Sequence, residues 1–387
     1  MRTDSPAAPP SLFRSFWIAG FEASSHINKK GRRLDMTAAV HHDLYAGEDY
    51  GLVAAMGMRT ARDGLRWHLI ERAGGYDFSS WTPMLAAARE QGVQVIWDLC
   101  HYGWPDGLDI FSPGFVDRFA RFCGAAARHH GELTGEVPFF APVNEISFFA
   151  WAAARRIMYP YARGRDGELK RQLVRAAIAG SDAILAADPR ARLVFPEPLI
   201  HTVPPLRSHL TQPAADKNES QFETFEMLVG RTAPELGGAP RYLDIMGVNY
   251  YAANQWVVPG GRKLRWDGQP LDKRWCPLHL LLAGVWERYR RPLFIAETSH
   301  YGTGRAAWIR EVAREVFQAR KNGVPLEGIC LYPILNRFDW DDPTHWHDSG
   351  LWDFAPSRNG HYQRVLNPEY AEAVRDGQAE LAAAGCW

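Results

Sequence analysis

Eight short apolar runs, the amphipathic stretches between them and the lack of a Gly-rich G-x-G-x-x-G turn after the first run predict an α/β chain forming a single (β/α)8 TIM barrel. An open doubly wound sheet is the runner-up, weakened by the lack of the turn that its dinucleotide-binding forms carry. The strand candidates are FWIAGFEA (16–23), MRTARDGL (58–65), VQVIWDLC (93–100), FFAPVNEI (139–146), RLVFPEPLI (192–200), YLDIMGVNYY (242–251), PLFIAETS (292–299) and GICLYPIL (328–335). Near-continuous apolar runs are what strands covered on both faces require. Between them lie the helical patterns WTPMLAAAREQG, FVDRFARFCGAAARHHG, LKRQLVRAAIAGSDAILAADP, LHLLLAGVWERYRR and WIREVAREVFQARKNG, with YAEAVRDGQAELAAAG closing the chain. Apolar residues recur three and four apart in these, and Gly or Pro stops several. Residues 1–387 therefore read as one domain, with 1–15 as a flexible amino-terminal extension.

Composition narrows the function. Basic and acidic residues balance at 44 each, so nothing in the net charge points to nucleic acid or a membrane surface as the main partner, none of either is expected, and a small neutral ligand fits better. Fifteen Trp and fourteen Tyr supply flat faces of the kind a sugar ring stacks on. Cys100, Cys123, Cys276, Cys330 and Cys386 are odd in number and lack CxxC spacing, so free thiols and a cytoplasmic location are expected. The start, MRTDSPAAPPSLFRSFW, has no apolar signal core, and no later window approaches a membrane span. The oligomeric state is not legible.

In a barrel of this kind, chemistry sits where the strands end at their carboxyl side. Polar residues at those ends are Glu22, Arg62, Asp63, Asp98, His101, Asn144, Glu145, Glu197, Asn249, Tyr251 and Glu297. The run FFAPVNEISFFA is the sharpest case, because an unpaired carboxylate inside an apolar run is costly unless the strand delivers it to a cleft. Glu145 in PVNEIS ends the fourth strand and Glu297 in FIAETS the seventh. Those strands face each other across a ring of eight. Two facing carboxyls are the equipment for glycoside hydrolysis, one protonating the leaving oxygen while the other attacks or activates water. Their environments must differ, since one must keep its proton near neutral pH.

The Asn144–Glu145 pair with Glu297 resembles the clan of retaining (β/α)8 glycosidases, and residues from about Phe16 to Phe354 resemble glycoside hydrolase family 1, the β-glucosidase family. TARDGLRW is similar to that family's YRFSISW, LCHYGWP to YHWDLP, MGVNYY to LGINYY and ILNRFDWDD to LLDNFEWADG. The resemblance implies that Glu145 is the general acid/base and Glu297 the nucleophile. It further implies that Arg62 and Tyr251 hold the nucleophile, and that His101, Asn144, Asn249, Asp339 and Trp340 contact sugar. Four substrate-binding positions depart from the family pattern. His26 stands for a Gln, Tyr102 and Tyr332 each for a Trp, and Asp339 for a Glu. These imply a rewritten sugar-recognition shell.

Other residues admit two readings. Glu197 in FPEPLI reads as a rim residue fixing its loop, with substrate contact as the rival. Glu22 and Asp98 are candidate ion-pair partners for Arg62. His41, His42, His345 and His347 raise a metal reading, but the HxH falls after the eighth strand instead of ending the first, so no metal or cofactor is expected. RRIMYPYARGR, with Arg155, Arg156, Arg163 and Arg165, reads as a solvated loop or as a site for an anionic group on the substrate. The expectation is a retaining β-glycosidase acting on a small carbohydrate or glycoside. A transglycosylase with the same glutamates and a non-catalytic carbohydrate-binding barrel are the alternatives.

Overall fold

The computed structural model describes residues 11–206, 211–356, 360–383 and 385. Eight strands, β1 Trp17–Gly20, β2 Thr60–Gly64, β3 Gln94–Asp98, β4 Phe139–Ala141, β5 Arg192–Pro198, β6 Ile245–Asn249, β7 Leu293–Thr298 and β8 Leu326–Leu331, close into a barrel in sequence order. Every adjacent pair is parallel. All eight strands expected from the apolar runs are present. β4 is shorter than expected and stops at Ala141, because Pro142 has no N–H to continue the ladder. Asn144 and Glu145 consequently lie beyond the strand, and the apolar ISFFAWAAA is helix from Ile146 to Ala154.

Ten helices of six or more residues surround the barrel among the described residues: α1 His42–Ala55, α2 Thr82–Glu90, α3 Pro113–Thr134, α4 Ile146–Ala154, α5 Asp166–Ala187, α6 Gln212–Ser220, α7 Glu223–Leu228, α8 Leu278–Tyr289, α9 Arg305–Lys321 and α10 Pro368–Ala383. α3 shows the local logic. Pro113 occupies its first turn, where a missing N–H costs nothing, and Gly135 ends it at φ 65°. Its buried face, Phe115, Phe119, Phe122, Cys123 and Ala126, joins the layer between helices and barrel.

The barrel interior forms its own apolar cluster of Ile18, Ile96, Phe139, Val194, Ile245, Phe294 and Cys330, closed by Phe13. The Phe13 ring packs 5.1 Å from Phe294 and 5.7 Å from Phe139, centroid to centroid. A flexible extension over 1–15 is thus corrected at its described end: Phe13 is buried because an open barrel floor exposes apolar surface that a ring can cover. The first ten residues of that expected extension lie outside the described ones, as does Cys386; Cys100, Cys123, Cys276 and Cys330 are free thiols, as expected. No described helix is long and apolar enough to cross a membrane.

Phe13→Ala removes the plug and leaves a cavity, and the expected cost is about 3 kcal/mol of unfolding free energy, read from the shift of the urea midpoint. A change within error of zero would mean that the floor does not need the ring.

Candidate active site

Along β2, alternate side chains point to opposite faces, which separates two neighbouring charges. Arg62 points into the barrel mouth and Asp63 outward. Arg62 is fully buried and donates through all three nitrogens. Nε reaches Asp98 Oδ1 at 3.0 Å and Nη2 reaches Asp98 Oδ2 at 2.8 Å, a two-pronged pair. Nη2 also donates to Asn144 Oδ1 at 2.6 Å, and Nη1 to Glu297 Oε1 at 2.8 Å and to the Ala296 carbonyl at 3.1 Å. Tyr251 donates its hydroxyl to the other Glu297 oxygen at 2.7 Å.

These bonds dictate the rest of the network. Since Asn144 Oδ1 accepts from Arg62, its amide Nδ2 donates, to His101 Nε2 at 3.0 Å and to the Tyr102 hydroxyl at 2.9 Å. His101 Nε2 is therefore an acceptor, and Nδ1 carries the proton toward Asp98 Oδ2 at 3.0 Å. Tyr102, with its oxygen already accepting from Asn144, donates to Glu145 Oε2 at 2.6 Å. A continuous chain, Glu297–Arg62–Asn144–Tyr102–Glu145, joins the two facing glutamates, which are only 5% and 8% exposed.

Glu145 sits at φ 43° and Tyr102 at φ 66°, both in the left-handed region that non-glycine residues avoid. Such strain persists only where surroundings over-determine it. β5 does so for Glu145. Its amide donates to the Pro196 carbonyl at 3.0 Å, and the carboxylate of Glu197 takes the Ser147 amide at 3.2 Å on each oxygen, at the start of α4. Glu197 is thus buried instead of on the rim, and it holds the start of α4 instead of its own loop; its burial pushes its pKa up to about 7, against the Ser147 bond. Burial first and the Glu297 charge second push Glu145 up to about 8. Two carboxyls in one mouth thus have different company: Glu297 accepts from a cation and a phenol, while Glu145 accepts from the Tyr102 phenol and meets the Glu297 charge instead of a cation.

The remaining positions divide. Tyr332 lies over Gly20, and its ring packs 5.2 Å from the Arg62 guanidinium. His26, Asn249 and Trp340 are at the mouth with polar atoms that find no partner among the described residues: both His26 ring nitrogens, both Asn249 amide atoms and the Trp340 indole nitrogen. His26 packs edge-on against Trp340 at 4.5 Å. Burial, then the neighbouring His101, Arg33 and Arg337, pushes its pKa down to about 3, so the ring is neutral. Asp339 is not with this group. One of its oxygens takes the Asp341 and Asp342 amides and the other takes His347 Nε2 at 2.8 Å, so it folds back on its own loop. Asp98 pairs with Arg62 as expected, but Glu22 does not; its oxygens meet the Ser24 amide and, loosely at 3.6 Å, Arg337. Arg337, with its guanidinium 5.7 Å from the Trp340 ring, is a mouth residue that no strand-end reading isolates, because it follows β8 by six positions.

His42 belongs to the outward face of β2. It bridges Asp63 at 2.9 Å and Asp49 at 2.8 Å, and Arg364 pairs with Asp49 at 2.7 Å. No group of three or more metal-ligating side chains occurs among the described residues.

No protein-family model and no curated protein matches the sequence. Solved structures do match. The family 1 β-glucosidase from Thermotoga maritima is similar at a TM-score of 0.73 and 15% identity, covering 94% of this chain and 97% of that one. The chain has the fold of the family 1 β-glucosidases. A β-glucosidase from the same organism, in complex with an N-octyl calystegine derivative, is similar at a TM-score of 0.74 and 16% identity, over 96% and 99% of the two chains. The β-glycosidase BGL167 is similar at 0.64 and 19%, over 88% and 87%.

The His42 cluster generates a pH dependence. Burial would lower the His42 pKa, but the Asp63 charge and the bonds to both aspartates outweigh it and raise it to about 9 from 6.5. A raised pKa gives stability that is complete below about 6.5 and lost as pH climbs through about 9. Glu145 and Glu197 act in the same sense at lower pH. The urea midpoint should fall over that window, and more gently in His42→Asn; equal slopes would contradict the assignment.

Proposed function

We propose that the protein is a retaining β-glycosidase, a divergent relative of the family 1 enzymes. The observation that carries this is the asymmetry of the two glutamates. Glu297 accepts from Arg62 on one oxygen and from Tyr251 on the other, whereas burial and the neighbouring Glu297 charge raise Glu145 to about 8, so that it holds a proton at neutral pH. In this reading Glu297 Oε attacks the anomeric carbon. The bond to the leaving oxygen breaks, and that oxygen takes the Glu145 proton. Esterification removes the Glu297 charge and with it one cause of the raised Glu145 pKa. Glu145 then accepts a proton from the water that hydrolyses the glycosyl-enzyme and releases Glu297.

Side chains around the pair have defined parts in this reading. Arg62 and Tyr251 orient Glu297 on both oxygens. Tyr102 orients Glu145, and its bond favours the carboxylate, opposing part of the upward shift. The unpartnered atoms of His26, Asn249 and Trp340 suit sugar hydroxyls, which donate and accept. Asn144 has both amide hydrogens engaged by His101 and Tyr102, so a contact to a 2-hydroxyl requires it to exchange one of them.

A panel of nitrophenyl β-glycosides tests the reading, with glucoside, galactoside, fucoside, xyloside and glucuronide. Glu297→Ala should lose turnover on the order of 10⁴-fold while remaining folded, and azide should restore a glycosyl azide of opposite anomeric configuration. Unchanged turnover in the variant would sink the mechanism.

The pH profile is a separate check. Activity should fall as pH rises through about 8, where Glu145 loses its proton. Tyr102→Phe removes a bond to the ionised form, so that limb should move to higher pH; a downward move would mean that Tyr102 does not serve the carboxylate.

A further inference from the structure

Glu145 is the N-cap of α4, the residue whose side chain ordinarily accepts from the amide two or three positions on. It makes no such bond. The amide two positions on belongs to Ser147, and Glu197 takes it from β5, at 3.2 Å on each carboxylate oxygen. One residue before Glu197, the Pro196 carbonyl takes the Glu145 amide at 3.0 Å. Two successive residues of one strand therefore fix the backbone on either side of a residue held at φ 43°. The Ser147 hydroxyl does not enter the cap, because it is bonded to Thr224 of α7 at 2.9 Å. Glu197 is fully buried, and a carboxylate in such a place is costly. No step of proton exchange between Glu145, Glu297 and a substrate calls on it.

We propose that Glu197 is a positioning residue for the proton donor: it caps α4 in place of Glu145 and leaves the Glu145 carboxyl to Tyr102 and the substrate. The inference rests on the glycosidase reading, because that reading makes Glu145 the donor. Two consequences for the Glu145 proton have the same sign. The start of a helix carries partial positive charge and free N–H groups, and both stabilise a carboxylate. With the Ser147 amide taken, Glu145 is denied a bond that would draw out its proton. Glu197 also presents a like charge, which opposes ionisation of Glu145. Burial pushes Glu197 up to about 7 against about 8 for Glu145, so Glu197 ionises first as pH rises. The other titratable groups facing Glu145 are Glu297 of β7, which also raises it, the Tyr102 phenol, which lowers it, and the Tyr251 phenol. Lys170 of α5 faces Glu197 and favours its carboxylate, while its own ammonium pairs with Glu223 of α7.

The test needs no turnover. Carboxyl signals of isotope-labelled glutamate and the Ser147 amide proton are followed by NMR as pH is raised, the Glu145 signal being the one absent from Glu145→Gln. In the wild type the Ser147 amide proton should titrate with a midpoint of about 7, because its acceptor is Glu197. In Glu197→Gln, an uncharged side chain of the same shape, the Glu145 midpoint should fall by about one pH unit, the order of a like charge nearby at an effective dielectric constant of about 20. Where a glycoside is turned over, the alkaline limb of kcat/KM should fall with it. A cap that served folding alone would lower the melting temperature of Glu197→Gln and leave the Glu145 midpoint in place, which would overturn the proposal. So would a Ser147 amide that does not titrate, a result read in the wild type and independent of any variant's folding. A lowered midpoint with a silent glycoside panel would instead overturn the hydrolase reading alone. Turnover with an unmoved midpoint would overturn this proposal alone.

Discussion

One buried guanidinium organises the mouth of this barrel. Arg62 has no water to solvate it, and every N–H must find an acceptor. Asp98 takes two, Asn144 one, Glu297 one and the Ala296 carbonyl one. Because the cation spends a donor on Asn144 Oδ1, the amide orientation follows, then the His101 tautomer, then the direction of the Tyr102 hydroxyl bond. Glu145 is therefore oriented, through the two intermediate side chains Asn144 and Tyr102, by the residue that holds Glu297. A neutral replacement at Arg62 would leave two buried carboxylates without their cation, which is the most damaging way to break a buried pair.

The same low-dielectric setting sorts the carboxyls of the mouth. Glu297 and Asp98 sit against the cation, while Glu145 and Glu197 sit where burial outweighs their hydrogen bonds. Glu197 contributes in two ways. Its oxygens satisfy an amide at the buried start of α4, where a helix has unpaired N–H groups and favours negative charge. Its carboxyl also lies near enough to Glu145 to raise it further. Backbone strain at Glu145 and Tyr102 is supported by this scaffolding, and both strained residues belong to the one short bond between them.

Outside that core the mouth departs from what resemblance implies. Asp339, expected on the sugar, is occupied by His347 and two loop amides, whereas Glu22 and Arg337 hold each other only loosely at 3.6 Å. His26, Asn249 and Trp340 carry uncompensated polar atoms at the mouth. A substrate that meets these groups restores the hydrogen bonds that folding left unmade, and a substrate lacking the matching hydroxyls leaves them unpaired. Selectivity built that way comes from the penalty on the wrong ligand as much as from contacts to the right one.

The chain's own order of residues determined the eight strands, the barrel and the placing of Arg62, Asn144, Glu145, Tyr251 and Glu297 in or just beyond the carboxyl halves of strands, because those features depend on local periodicity and on which side of a strand a residue falls. α6 was not legible: it buries only Ala214, so no apolar period marks it. The burial of Phe13 was not legible either, since its partners come from strands remote in sequence. Tertiary structure alone decided that Asp339 bonds to His347 and two amides of its own loop while Glu22 meets Arg337, that Tyr102 reaches Glu145, and that Glu197 clamps α4. Each of those outcomes is a competition among acceptors for a shared donor, and which one wins depends on distances that only the closed barrel sets.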